Sequence, residues 1–235
     1  MNSQHSPSSE FDSIAGVYDD LLRDPLRDRF AGPGQFFHLR KWLLLREFLL
    51  RRGIDPRSRR LLDAGCGRGE FLRLAAGDFA AVAGCDPSRE MLKHSAGLNL
   101  TLQGDALRIP FDDQSFDVAT VICVLHHVAP ADRASLLGEV RRVLRPGGLA
   151  CVFEHNPYNP GTRIIVGRTP VDRDARLLTA ASARDLLAGA GFRVIESRYY
   201  LYLPAPLYRR APALERWLGW LPLGGQYAVL AEAPA

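Results

Sequence analysis

The segment Leu61-Leu62-Asp63-Ala64-Gly65-Cys66-Gly67-Arg68-Gly69-Glu70 constrains the fold more than any other part of the chain. An apolar run ends in an acid, glycines follow at alternate positions, and a helical pattern begins at Phe71. This order predicts a buried strand, a turn without side-chain bulk, and a helix whose N-terminus faces the turn. Glycine admits positive φ and lets a ligand lie against the main chain, and the helix N-terminus favours anionic groups. The combination predicts a nucleotide-type cofactor site at the C-terminal end of the first strand of a doubly wound sheet.

The glycine spacing narrows the cofactor. Gly65, Gly67 and Gly69 give G-x-G-x-G, whereas the dinucleotide fingerprint is G-x-G-x-x-G and a P-loop requires Gly-Lys-Ser/Thr. A second strand, Ala80–Cys85, ends at Asp86, 17 residues past Gly69. An acid in that place accepts both ribose hydroxyls of an adenosine. Pro87 to Leu92 opens a helix with Asp86 or Ser88 as cap, which sets Met91 near an adenine. A short strand, Leu100–Gln103, leads into Gly104-Asp105-Ala106. Ser115–Leu125 reads as a fully buried strand with His126-His127-Val128 at its end. Asp132–Leu144 has helical periodicity and stops at Arg145-Pro146-Gly147-Gly148. Leu149–Phe153, Phe192–Tyr199 and Gln226–Ala233 are the fifth, sixth and seventh strands.

The run D-x-G-x-G-x-G at Asp63–Gly69 resembles the first motif of the class I S-adenosylmethionine (SAM) methyltransferases. From Phe11 to Phe153 the signals, in this order and with these gaps, resemble the small-molecule "type 11" methyltransferases, a group that includes quinone-biosynthesis enzymes. The resemblance implies a three-layer Rossmann-like α/β fold whose seven-stranded, mostly parallel sheet has an antiparallel last strand. It implies SAM as cofactor and S-adenosylhomocysteine (SAH) as product. Carried over residue by residue, it puts Asp86 on the ribose and Asp105 on the adenine amino group. The Ala106 backbone N–H would meet a ring nitrogen. Phe11 to Asp19 resembles the family's opening F-D-x-x-A-x-x-Y-D, whose tyrosine, here Tyr18, packs over the cofactor. Arg40 or Lys41, on a helix expected from Phe36 to Arg51, is a candidate for the methionine carboxylate. Asp63, Gly65, Cys66, Gly67, Gly69, Pro87, Met91 and Cys123 complete the expected cofactor wall.

A chain of 235 residues, 47% of them apolar, buries one large α/β core without a second domain. The expected organisation is a disordered tail over 1–10 and a single methyltransferase domain over 11–235. Within it, 11–58 forms a helical lid, and 154–178 and 200–225 are substrate-side insertions. No apolar run reaches the ~20 residues of a membrane span, and the polar N-terminus carries no leader pattern. The expected location is cytoplasmic. Cys66, Cys85, Cys123 and Cys151 form no C-x-x-C pair, so they read as reduced packing residues and no metal is expected.

The net charge is +4, and residues 21–60 hold eleven basic and four acidic side chains. That face suits a nucleic acid, a phosphate-bearing substrate, an anionic membrane surface or plain solvent. The Asn/Asp-Pro-Pro-aromatic motif of base-modifying enzymes is missing after the fourth strand, where His126-His127 stands. The expected partner is therefore a small molecule and not a nucleic acid, with peripheral membrane contact open and the chain monomeric or homodimeric. The segment Tyr200–Gly225 is too long for a hairpin. It carries Tyr202, Tyr208, Trp217 and Trp220 with Arg209, Arg210 and Arg216. It reads as a wall for an apolar or prenylated acceptor with membrane-surface contact, as a dimer interface, or as a helix packed on its own domain.

A methylsulfonium is a strong electrophile, so the protein must align the nucleophile with the S–CH₃ bond and exclude water. Methylation of a hydroxyl gains from a base, and histidine titrates near neutrality. Candidate bases are His126, facing the substrate from a variable place, and His155. His127 recurs in the family pattern and reads as an orienting residue. A transfer without a dedicated base, a SAM-binding module without turnover, and a NAD-dependent oxidoreductase are the alternative readings. The glycine spacing disfavours the last.

Overall fold

The computed structural model describes residues 7–32, 35–95, 97–98, 100–105 and 107–235, with side chains from Phe11 onward. Ala106 lies outside the described residues. Four N-terminal helices come first: α1 (Pro7–Ile14), α2 (Tyr18–Leu21), α3 (Pro25–Ala31) and α4 (Phe36–Arg51). Then β1 (Arg60–Ala64), α5 (Glu70–Ala75), β2 (Ala81–Asp86), α6 (Arg89–Lys93) and β3 (Thr101–Gln103) form one half of the sheet. The other half is β4 (Phe116–Ile122), α7 (Arg133–Val143), β5 (Leu144–His155), α8 (Pro160–Arg168), α9 (Ala180–Gly189), β6 (Arg193–Tyr200), α10 (Ala205–Arg210), α11 (Pro212–Leu218) and β7 (Gln226–Glu232).

The strand order is β3-β2-β1-β4-β5-β7-β6. β1 pairs parallel with both β2 and β4, while β7 runs antiparallel to both β5 and β6. The chain reverses its direction of sheet growth between β1 and β4. In doubly wound sheets that crevice, at the carboxyl ends of the strands, is where ligands bind.

Alternation along each strand makes the three layers. Leu62 and Ala64 of β1 face a core shared with α7 and α9, including Leu136, Leu137, Val140 and Leu187. Leu61 faces the other core, with Leu45, Phe48 and Leu49 of α4 and Phe71 and Leu72 of α5. A strand buried on both faces must be apolar at nearly every position, which is the pattern seen before Asp63.

Several boundaries differ from expectation. β4 stops at Ile122 because Cys123 turns out of the strand at φ 56°. The backbone there is in the left-handed region, which costs a non-glycine residue on the order of 1–3 kcal/mol. β5 begins at Leu144, and Arg145-Pro146-Gly147-Gly148 forms an irregularity inside it: Phe116 pairs with Leu144, and Val118 with Leu149. Of the expected disordered tail, Pro7–Glu10 lie in α1 and residues 1–6 lie outside the described residues. The expected insertion 200–225 contains two short helices, α10 and α11.

Candidate active site

The glycine turn after β1 is held open by backbone geometry. Gly65 and Gly67 have φ of 81° and 52°. A Cβ on Gly65 would collide with Val124, whereas one on Gly67 would meet no atom within 4 Å and would project into open space. That is the cradle a main-chain-bound cofactor needs. Gly69, expected on the cofactor wall, is not there. It caps α5 at φ 76°, and a Cβ on it would strike Leu98 and Ser95, so it serves helix packing.

Two aspartates frame the turn. Asp86, at the end of β2, accepts the Gly67 N–H at 2.8 Å and the Ser88 N–H at 2.9 Å. Burial raises its pKa against those bonds. Asp63 is buried and accepts the Thr120 hydroxyl at 2.7 Å. Burial pushes its pKa up to about 7, although the Thr120 bond and Lys41 oppose the shift. Burial lowers the Lys41 ammonium. A buried acid and a buried base in one cavity suit the ammonium and carboxylate of an amino-acid tail.

The cavity at the switch point measures about 2250 Å³, above the roughly 300–1,000 Å³ common for small-ligand pockets. Tyr18, Lys41, Asp63, Gly65, Cys66, Gly67, Asp86, Pro87, Met91, Asp105, Cys123, His126, His127 and His155 all line it. Asp105 is exposed and its carboxylate accepts the Leu107 N–H at 2.9 Å. Leu22, Leu26, Phe30, Phe37, Ile165 and Val166 also line the cavity, together with Arg27, Gln35 and His38.

Arg40 is absent from this wall. Its guanidinium is buried in an ion pair with Glu215, donates to the Tyr208 hydroxyl at 2.8 Å and lies 3.7 Å over that ring. Arg40 and Lys41 are neighbours on α4 and point to different sides, because successive helical residues are 100° apart.

The histidines form one cluster. His126 is 1% exposed; its Nδ1 is 2.5 Å from Glu154 Oε2 and its Nε2 is 3.4 Å from Asp172 Oδ1. Burial alone would lower its pKa, but the two carboxylates raise it to about 9. Both ring nitrogens of His126 face carboxylates, whereas the expectation was a free base facing the substrate. His127 Nε2 is 3.5 Å from the same Asp172 oxygen, and its ring meets Phe11 edge-on at 5.3 Å. Burial and the His126 charge lower His127 to about 4, and burial lowers His155 likewise. Gln226 Nε2 is 3.3 Å from His155 Nδ1.

Sequence reasoning passed over four residues that build this site. Asp172 lies in a turn within 154–178. Glu154 is fully buried and also accepts the Leu125 N–H at 2.8 Å, fixing the loop that carries the histidines. Asp12 accepts the Ser88 hydroxyl at 2.6 Å, and Asp19 pairs with Arg68 at 2.8 Å, so the N-terminal segment is tied to the glycine turn and to α6. Both acids stand inside the Phe11–Asp19 motif, and that was the available signal.

This fold and this cradle define a nucleotide-cofactor-binding α/β protein with its site at the sheet's switch point. Residues 62–152 match the family model described as a methyltransferase domain. The chain is 33% identical to an uncharacterized methyltransferase of Synechocystis over 63% of this chain and 72% of that one. It is 35% identical to the ubiquinone/menaquinone biosynthesis C-methyltransferase UbiE of Desulfotalea psychrophila over 66% of this chain and 59% of the relative, so it spans somewhat over half of that enzyme's length. The crystal structure of a SAM-dependent methyltransferase of Thermotoga maritima, described as a possible histamine N-methyltransferase, shares the fold with a TM-score of 0.66 at 20% identity, covering 95% of this chain and 98% of that one. The chain belongs to the SAM-dependent methyltransferases of this domain family. Its cofactor is SAM, and the open Gly67 cradle flanked by Asp63 and Asp86 fits that group.

Proposed function

We propose that this protein transfers the methyl group of SAM to a small, largely apolar acceptor, releasing SAH. The observation that carries the reading is one cavity lined together by the Gly67 cradle, the histidine cluster and the apolar side chains of Phe30, Phe37, Ile165 and Val166. Donor and acceptor can lie end to end there with the histidines beside the junction. SAM supplies an electrophilic methyl. The chain's own work is to hold the acceptor in line, and to keep water out with the Tyr18 lid and the apolar wall.

Asp86 is assigned to the ribose, Asp63 to the methionine ammonium and Lys41 to its carboxylate. His126, whose two ring nitrogens face Glu154 and Asp172, is assigned a positioning role. His155, whose pKa burial lowers, is left to accept a hydrogen bond from an acceptor hydroxyl. UbiE is named for ubiquinone and menaquinone biosynthesis, and a prenylated quinol would match a cavity lined by both apolar side chains and histidines. Trp217 and Trp220, each 70% accessible, and exposed Arg209, Arg210 and Arg216 belong to the same β6–β7 connection as Leu223, which lines the cavity. This supports a membrane-facing mouth for such an acceptor. No helix among the described residues is long and apolar enough to cross a membrane.

The test is SAH formation from SAM with a panel of quinols, phenols and amines of increasing chain length. Turnover that rises with acceptor apolarity is expected. SAM binding without turnover on any acceptor would favour the silent binding module instead.

A further inference from the structure

We propose that His126, His127 and Asp172 form a binding site for one divalent transition-metal ion, held against the acceptor half of the cavity. His126 Nε2 and His127 Nε2 lie 3.4 Å and 3.5 Å from Asp172 Oδ1, and the three donor atoms all lie within 4.8 Å of one another. Nitrogen and oxygen donors about 2.0–2.2 Å from a tetrahedral metal centre stand ~3.4 Å apart. Both histidine nitrogens are therefore already spaced from Asp172 as ligands of one ion would be. Two imidazoles with one carboxylate form a set that zinc and ferrous iron both accept with positions left open.

Two further observations point to a cation. The first is the partner of His126. Its Nδ1 is 2.5 Å from Glu154, whose carboxylate is fully buried and anchored by the Leu125 N–H. A carboxylate on the far nitrogen of a metal-ligating histidine fixes its tautomer and strengthens it as a ligand. The second is charge. Among the described residues no arginine or lysine lies within 4 Å of Glu154 or Asp172, and the basic groups at that distance are histidine nitrogens. Buried carboxylates require a counter-charge or a metal. A dication taking the place of the proton on His126 Nε2 would balance both acids.

All three ligands line the cavity, as does His155, so an ion they held would border the space assigned to the acceptor. An ion there would take an acceptor oxygen as a further ligand and hold it beside the methyl donor. This use of the ion rests on the methyl-transfer reading, whereas the site itself does not.

The test is titration of untagged, chelator-stripped full-length protein with Co²⁺ alone, followed by visible absorption and by elemental analysis after dialysis. SAH calorimetry on the same samples reports folding and the cofactor site. One bound ion per chain with a tetrahedral-type spectrum is expected. Asp172→Asn and His127→Gln should abolish the spectrum, and Glu154→Gln should weaken binding about 10–100-fold, with SAH affinity unchanged in the Asp172 and His127 variants. A featureless titration of the wild-type protein up to millimolar Co²⁺ overturns the proposal, as does binding that survives both ligand substitutions. Loss of SAH binding with Co²⁺ binding intact would remove the methyl-transfer reading and leave the metal site standing.

Discussion

Asp86 accepts the backbone N–H of Gly67 at 2.8 Å, tying the end of β2 to the apex of the glycine turn. The same carboxylate is assigned to the cofactor ribose, so one side chain shapes the cradle and holds its occupant. Asp86→Ala should weaken SAM binding 10- to 100-fold, about 1.4–2.8 kcal/mol. Calorimetry measures this directly, and unchanged affinity would refute the ribose assignment.

Gly67→Val separates binding from folding. A Cβ there meets no protein atom within 4 Å, so the added bulk enters the space reserved for the cofactor. The positive φ adds strain of roughly 1–2 kcal/mol. A modest drop in melting temperature with complete loss of SAM binding is expected. Gly65→Ala should do the opposite and chiefly unfold the protein, because its Cβ strikes Val124. Thermal melts and SAM titrations of the two variants side by side decide this.

Asp63 makes the cofactor-free protein sensitive to pH. Its folded pKa, pushed up to about 7 by burial, lies above the ordinary 3.8. The folded state therefore holds a proton that the unfolded state releases, and stability falls as pH rises from about 4 to 7. Asp63→Asn removes that loss. Between pH 5 and pH 8 the variant should gain about 3 kcal/mol on the wild type, as read from denaturant unfolding without SAM. A constant difference across that range would sink the assignment.

Glu215 anchors the β6–β7 connection. It pairs with buried Arg40 and accepts the Leu201 and Leu203 N–H groups at 3.1 Å and 3.2 Å. Glu215→Ala would leave a guanidinium buried without its charge partner, at a cost of about 3–5 kcal/mol. The midpoint of urea unfolding should fall accordingly. Replacing both partners with apolar residues should recover much of the loss.

The tryptophan and arginine surface gives a separate test. Sedimentation with anionic phospholipid vesicles should capture the wild-type protein, and added salt should weaken the capture. Trp217→Ala with Trp220→Ala should reduce it at least tenfold, about 1.4 kcal/mol or more. Wild-type protein that stays in the supernatant at low salt removes the membrane-facing mouth.

The sequence by itself determined the half of the site that depends on backbone. An apolar run, an acid and alternate glycines admit few conformations. Asp63, Gly65, Gly67 and Asp86 therefore fall in place through the order of strands, and the Phe36–Arg51 helix and most of the strands were legible in the same way. What depends on distant segments meeting was decided only by the tertiary structure. Nothing near Arg40 in the chain tells it from Lys41, yet Glu215, 175 residues away, draws one out of the cavity and leaves the other in it. His126 looked like a free imidazole until β5 brought Glu154, and a turn in the 154–178 segment brought Asp172, onto its two nitrogens. Local pattern fixes φ, ψ and the burial of a strand because those follow from neighbouring residues. Charge state and ligand geometry follow from through-space distances of a few ångströms, which only the packed chain sets.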